Sequence, residues 1–233
     1  MRVWDINPGY LNHQSLLGEH REIHGIVSII VNGKKGYSKH PETIRWVGHG
    51  WALRMRHHLL ASEMSLRKFK DRSPVLMRTK KGIWPEEYID EPGQQFKILE
   101  AKYKNKEQGR IPLPNNAKQL WSQHKYSILA RDVNLYRKIG TQVSAMPPTH
   151  DFSIMAKTLT ENLRMPPSLG GIRNALQHMW GYVSDCSVSK RDMETWSLNK
   201  LFHETQRCVL ESEDPYLMTS TALSELEVWI KTA

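Results

Sequence analysis

Between Asn12 and Val31 the chain spaces Leu16, His20, Ile23, Val27 and Ile30 as one stripe of an amphipathic helix, with Asn12 suited to cap its start and Asn32-Gly33 to stop it. That stripe sets the pattern for the rest. A second helix is predicted from near Pro41, where Pro and Glu42 suit a first turn, through Ile44, Val47, Trp51, Met55 and Leu59 toward Leu66. Helical periodicity returns at 118–138, around 151–163, at 171–183 and from 190 to the end. No Val/Ile-rich alternating run competes with it, so the expected fold is all-α. The stretch from Arg78 to Asn116 is broken by Trp84-Pro85, Glu91-Pro92-Gly93 and Ile111-Pro112-Leu113-Pro114 around one helix, Gln94 to Lys106. The organisation expected is therefore a helical domain over 1–80, a connecting segment over 81–117 and a second helical domain over 118–233.

Charge divides the chain unevenly. The formal net charge is +9, yet residues 1–80 hold fourteen Lys/Arg against six Asp/Glu, a net of +8, and the remainder is nearly balanced. A concentrated positive field attracts phosphate backbones. Without a basic amphipathic helix bearing a broad apolar face, nucleic acid is the favoured partner over a membrane. The start, Met1-Arg2-Val3-Trp4-Asp5, lacks the apolar run of a signal peptide, and no stretch approaches the roughly 20 apolar residues of a membrane span. The expected location is cytoplasmic, associated with the nucleoid. Two cysteines, Cys186 and Cys208, have no zinc-site spacing and read as small core or surface residues.

On the first helix a line of small residues, Ser15, Gly18 and Gly25, contains one carboxylate, Glu22. Each glycine costs a helix about 1 kcal/mol relative to alanine, so the pair suggests close approach of another backbone, from a second helix, a DNA strand or the chain's own terminus. Arg21 and Gln14 lie on an adjacent face, and Arg2 adds a cation at the terminus.

These residues resemble the phage endonuclease V type of pyrimidine-dimer DNA glycosylase. Aligned without gaps from Met1, the chain shares Arg2, Leu11, Gln14, Leu16, Glu19, Arg21, Glu22 and Asn32-Gly33-Lys34, and later Gly48-His49. Met1–Pro114, with Trp84-Pro85-Glu86-Glu87-Tyr88-Ile89-Asp90 and Gly109-Arg110-Ile111-Pro112-Leu113-Pro114, resembles the cellular branch of that family more closely still. The resemblance implies an enzyme acting on UV-induced cyclobutane dimers in double-stranded DNA. Its N-terminal amine, here that of Met1, attacks the sugar and forms an imine, Glu22 assists the sugar chemistry, and β-elimination cuts the strand. It also implies lesion contacts by Arg2, Gln14 and Arg21. An α-amine suits such work: with a pKa of about 7.7–8.0 it is roughly a tenth neutral near pH 7, against under one part in a thousand for a lysine. The phage enzyme exposes a small residue after losing its initiator methionine; the bulk of Arg2 should instead retain Met1, which falls on the nucleophile's position. The phage enzyme's aromatic C-terminal tail has no counterpart.

Lys34, Lys35, Lys39, Arg45, Arg54 and Arg56 are the candidate phosphate contacts. No metal site is expected, and imine chemistry needs neither a metal nor a nucleotide cofactor; no phosphate-binding glycine loop, HExxH pair or nucleophile elbow occurs. The same residues also admit an amine-dependent glycosylase or lyase for another lesion, or a non-catalytic nucleic-acid-binding adaptor.

Residues 118–183 resemble the YbgA-like C-terminal domain of uncharacterised function, through Trp121, His124-Lys125-Tyr126, Ala130-Arg131, Tyr136, Gly140, Asn174, Leu176-Gln177-His178 and Gly181-Tyr182. That resemblance brings no reaction. His124, Lys125, Arg131, Gln177 and His178 are polar residues on otherwise apolar helices. They either form a pocket or contact surface for a protein or nucleic-acid partner, or are satisfied in interhelical hydrogen bonds, the favoured reading.

Overall fold

In the computed structural model of the chain, residues 1–147, 151–183 and 190–232 are described. Cys186 lies outside them. The described residues hold helices and no strand, so the fold is all-α. They divide into two compact units, Met1–Gly109 and Arg110–Ala233, which splits the expected 81–117 connector between them.

The first unit is organised by a segment with no regular structure of its own. Residues 3–6 run non-helical and largely buried, so each backbone N–H needs an acceptor. Side chains supply them: Val3 N–H donates to Glu42 Oε1 (3.2 Å), Trp4 to Glu19 Oε1 (3.2 Å), and Asp5 and Ile6 both to Gln95 Oε1 (2.8 and 3.3 Å). Glu19 belongs to helix α1 (His13–Asn32), Glu42 to α2 (Pro41–Trp46) and Gln95 to α4 (Pro92–Tyr103). Helix α3 (Gly50–Leu66) contributes Arg56, whose Nε and Nη2 donate to Glu19 Oε1 and Oε2 at 2.6 and 2.8 Å while Nη1 donates to the Ile6 carbonyl at 2.7 Å. Burial pushes the Glu19 carboxyl up, and Arg56 opposes the shift.

Helix α1 begins and ends where the sequence indicates: the Asn12 side chain accepts the Ser15 N–H, and Gly33 closes the helix in the left-handed region at φ 59°. Asn12 is itself fixed, because its N–H donates to the Tyr103 hydroxyl (3.0 Å) and its amide to the Glu107 carbonyl (3.2 Å). At Gly109 a Cβ would meet the Tyr10 backbone at 2.5 Å, so chain from both ends of this unit meets where only glycine fits.

The single helix expected from Pro41 to Leu66 is two. Gly48 takes φ +81°, a left-handed conformation that interrupts the helix, and Thr79 then caps α3 by accepting the Gly50 N–H on Oγ1 (3.0 Å) and the Trp51 N–H on its carbonyl (3.0 Å). The apolar period runs through this break, which is why periodicity alone misses it.

In the second unit α5 (Ala117–Leu129) packs against α6 (Val133–Ala145), α7 (Ser153–Leu163), α8 (Leu169–Trp180) and α11 (Ala222–Thr232). Helices α9 (Lys190–Thr195) and α10 (Leu198–Ser212) complete it, with α10 against α8 and α11. The periodic stretch 118–138 is broken between α5 and α6, where Asp132 accepts the Asn134 and Leu135 N–H groups as an N-cap. Gly171 is required by proximity: a Cβ there would lie 2.0 Å from the Ala130 carbonyl oxygen. Cys208 is fully buried in α10.

Removing one partner of a buried ion pair leaves an uncompensated charge, at a cost of about 3–5 kcal/mol. Glu19→Gln should therefore destabilise the protein by about that much in urea unfolding, whereas Glu211→Gln, at an exposed and solvent-screened pair with Arg207, should leave the urea midpoint nearly unchanged.

Candidate active site

Met1, Glu22, Gly25, Ser28, Ile29, Lys34, Gly36 and Tyr37 line one cleft of about 470 Å³. The terminal residue and the carboxylate singled out from the sequence therefore share a space, and Glu22 is the one acidic residue among its lining groups. The rest of its lining comes from α1 and from the basic turn that Gly33 initiates.

The glycine strip is not a helix-packing surface. A Cβ at Gly18 or Gly25 would meet nothing within 4 Å, so the close backbone neighbour expected from these glycines is absent among the described residues. What they leave is open space beside Glu22. At the other end of the strip, Lys102 of α4 donates to Ser15 Oγ at 3.0 Å; its pKa is lowered by burial first, then by Lys106 and Arg2. Tyr37 in the cleft lining and Lys102 beside Ser15 are residues the sequence reading missed. The aromatic residue within the basic turn was the available signal for Tyr37; Lys102 is 87 positions from Ser15 and gave none.

Arg2 is half-exposed, paired with Asp90 (2.7 Å) and stacked over the Trp4 ring at 4.8 Å. Gln14 and Arg21 are exposed on α1, and Lys34, Lys35 and Lys39 are exposed in and after the turn. Arg54 is partly exposed, with its Nε buried and unbonded. Two expected phosphate contacts are corrected. Arg56 is committed to Glu19 and Ile6, with a side chain 3% exposed. Arg45, 4% exposed, bonds Asp5, lies 3.5 Å from Glu42 and donates to the Glu87 carbonyl (2.9 Å). Both lie behind the N-terminal segment, where they balance the acids that hold it.

The candidate residues of the second unit stand in different surroundings. Arg131, its side chain 2% exposed, forms a bidentate pair with Glu225 (3.0 Å each) and donates to the Ser127, Leu163 and Met165 carbonyls. His124 is buried with Nδ1 2.9 Å from the Leu120 carbonyl, and burial lowers its pKa to about 4. Lys125 sits over the rings of Tyr126 and Tyr216 (4.7 and 4.6 Å). Gln177 is partly exposed and His178 exposed on α8. Arg131 thus bridges helices, whereas the His124 contact is to a carbonyl of its own helix.

Residues 1–77 match the family model described as pyrimidine dimer DNA glycosylase, and residues 125–224 match that of a protein of unknown function (DUF1722). The two matches do not overlap, and each covers less than half of the chain. The glycosylase-family match supports a pyrimidine dimer DNA glycosylase, an enzyme of DNA repair whose substrate is damaged DNA. No curated protein and no solved structure matches the chain. No described helix is long and apolar enough to cross a membrane.

Two outcomes follow. Gly25→Ala meets no steric obstacle and should raise helix stability by up to about 1 kcal/mol, seen as a higher Tm, while placing a methyl in the cleft and lowering excision of pyrimidine dimers. In the second unit, His124 has a folded pKa below its unfolded value of about 6.5. Its contribution is therefore full above pH 6.5 and is lost as pH falls toward 4, by roughly 3 kcal/mol in all. His124→Gln should flatten the fall in urea stability across that window.

Proposed function

We propose that the glycosylase-family unit excises cyclobutane pyrimidine dimers and then cuts the abasic strand, with the Met1 α-amine as nucleophile and Glu22 as its carboxylate partner. The observation that carries this reading is the shared cleft: the terminal residue and one carboxylate face the same open space. The neutral amine attacks the anomeric carbon of the damaged nucleotide, and the glycosidic bond breaks with its electron pair leaving on the pyrimidine. Opening of the sugar gives an imine. Loss of a C2′ proton then expels the 3′ phosphate by β-elimination. Glu22 stabilises the cationic sugar and imine and relays protons. No step draws on a cofactor.

Lys34, Lys35, Lys39 and Arg54 are proposed to hold the phosphate backbone, and Arg21 and Gln14 to contact the lesion. Arg2, anchored by Asp90, is proposed to orient the terminus while adding positive charge. Displacing a nucleotide from the stack costs a few kcal/mol, and Tyr37, 70% exposed at the lip of the cleft, offers a ring to stack against. The second unit has no proposed reaction.

Borohydride trapping on duplex DNA carrying one thymine dimer should give a covalent adduct that peptide mapping assigns to the Met1 amine. Glu22→Gln should cut strand scission by at least about a hundredfold with duplex binding nearly unchanged. Trapping only on abasic DNA would move the reading to another lesion. No trapping by folded protein would leave a nucleic-acid-binding module, and active protein whose intact mass shows Met1 removed or acetylated would refute the nucleophile.

A further inference from the structure

Behind the cleft lies a second cluster that the proposed reaction does not use. His20 and His24 stand one turn apart on α1, His57 comes from α3, and Asp71 from the segment after it. Each of His20 and His24 is two residues from Glu22, which at 3.6 residues per turn puts both on the opposite side of the helix. We propose that His20, His24, His57 and Asp71 bind a divalent transition-metal ion of the zinc class, which ties α1, α3 and the following segment together behind the cleft.

The spacing carries the inference. One ligand atom from each of the four residues can be chosen so that all lie within 4.8 Å of one another. His20 Nε2 is 3.1 Å from His57 Nε2 and 3.2 Å from Asp71 Oδ1, and His57 Nε2 is 3.6 Å from Asp71 Oδ2. Two ligands at about 2.0–2.1 Å from a zinc ion and at the tetrahedral angle lie roughly 3.3 Å apart, so these separations, two of which run to different oxygens of Asp71, are of the size that neighbouring ligands of one ion show. The rings agree: the three histidine centroids are separated by 4.7, 4.9 and 4.9 Å, a near-equilateral arrangement around one point.

Hydrogen bonding explains the cluster less well. A single proton on His20 Nε2 serves either its contact to His57 or its contact to Asp71 with good geometry, and the buried Nε2 of His24 has no hydrogen-bond partner. A cation satisfies the converging lone pairs and the carboxylate together. Three neutral imidazoles and one carboxylate suit zinc, cobalt or nickel rather than magnesium or calcium, which prefer all-oxygen shells. With four protein ligands, the shell of a tetrahedral ion is closed, so its task is to hold structure. The His20-x-x-x-His24 spacing was visible in the sequence; His57 and Asp71 join it only through the fold.

The test uses untagged full-length protein stripped of metal with a chelator, then titrated separately with Zn(II) and Co(II). One equivalent per chain should bind tightly and raise Tm by several degrees, and Co(II) should give the intense visible absorption of a tetrahedral site, quenched by Zn(II). His24→Gln and Asp71→Asn should each weaken binding at least about tenfold while leaving the metal-free circular dichroism unchanged. Binding that survives in both variants, or that leaves Tm unmoved, would assign the ion to other histidines and overturn the proposal, as would no binding at all. Because metal content and Tm are read independently of DNA cutting, this result stands apart from the glycosylase reading.

Discussion

The bidentate pair between Glu19 and Arg56 is the contact on which the first unit depends. It joins α1 to α3 in the interior, and both partners also hold the N-terminal segment: Glu19 accepts the Trp4 N–H and Arg56 donates to the Ile6 carbonyl. A buried pair is a poor source of net stability, because desolvating both ions offsets much of their attraction. Its value here is positional. A segment without helix or strand has no hydrogen-bond ladder to fix its register, and fixed acceptors on three helices take that place.

The distribution of charge follows from the same requirement. Glu19, Glu42 and Asp5 cluster beneath the segment, and Arg56 and Arg45 compensate them there. Two of the cations that make residues 1–80 basic are thus spent internally. The exposed lysines of the turn after α1 remain as positive surface beside the cleft. A net charge counted from sequence treats these cations alike; burial separates them.

Legibility in the sequence tracks how local each interaction is. The start and end of α1 were readable because Asn12 caps three residues ahead and Gly33 stops the helix at its own position. Glu22 and its small neighbours share one line of a single helix and were singled out from spacing, whereas the pairing of Glu22 with Met1 came from the family resemblance of the first 34 positions. The roles of Arg45 and Arg56 were not: their partners lie 40 and 37 residues away, and a partly apolar helix face shows the same period whether its arginines turn inward or outward. The break at Gly48 was hidden for a related reason, since Thr79, which caps the restarted helix, is 29 residues downstream. The glycines of the strip were correctly read as costly, but their reason is space left open rather than space filled.

Helix α1 carries three demands on three sides. Leu16, Glu19, Ile23 and Ile26 are buried toward the interior, Glu22 opens on the cleft, and His20 and His24 face His57 and Asp71. Only the first contributes the apolar burial that ordinarily stabilises a helix, and Gly18 and Gly25 subtract from its intrinsic propensity. A helix weakened on its cleft side gains from being fastened on the other two. The Glu19–Arg56 pair supplies one fastening, and the His20–His24–His57–Asp71 cluster the other, whether through direct hydrogen bonds or through the proposed ion. Displacement of α1 would move Glu22 and the anchor of residue 4 together, since both are side chains of the same helix. The spacing between carboxylate and terminus therefore depends on α1 together with Glu42 of α2 and Gln95 of α4, which hold residues 3, 5 and 6, and the fastenings fix where α1 stands among them.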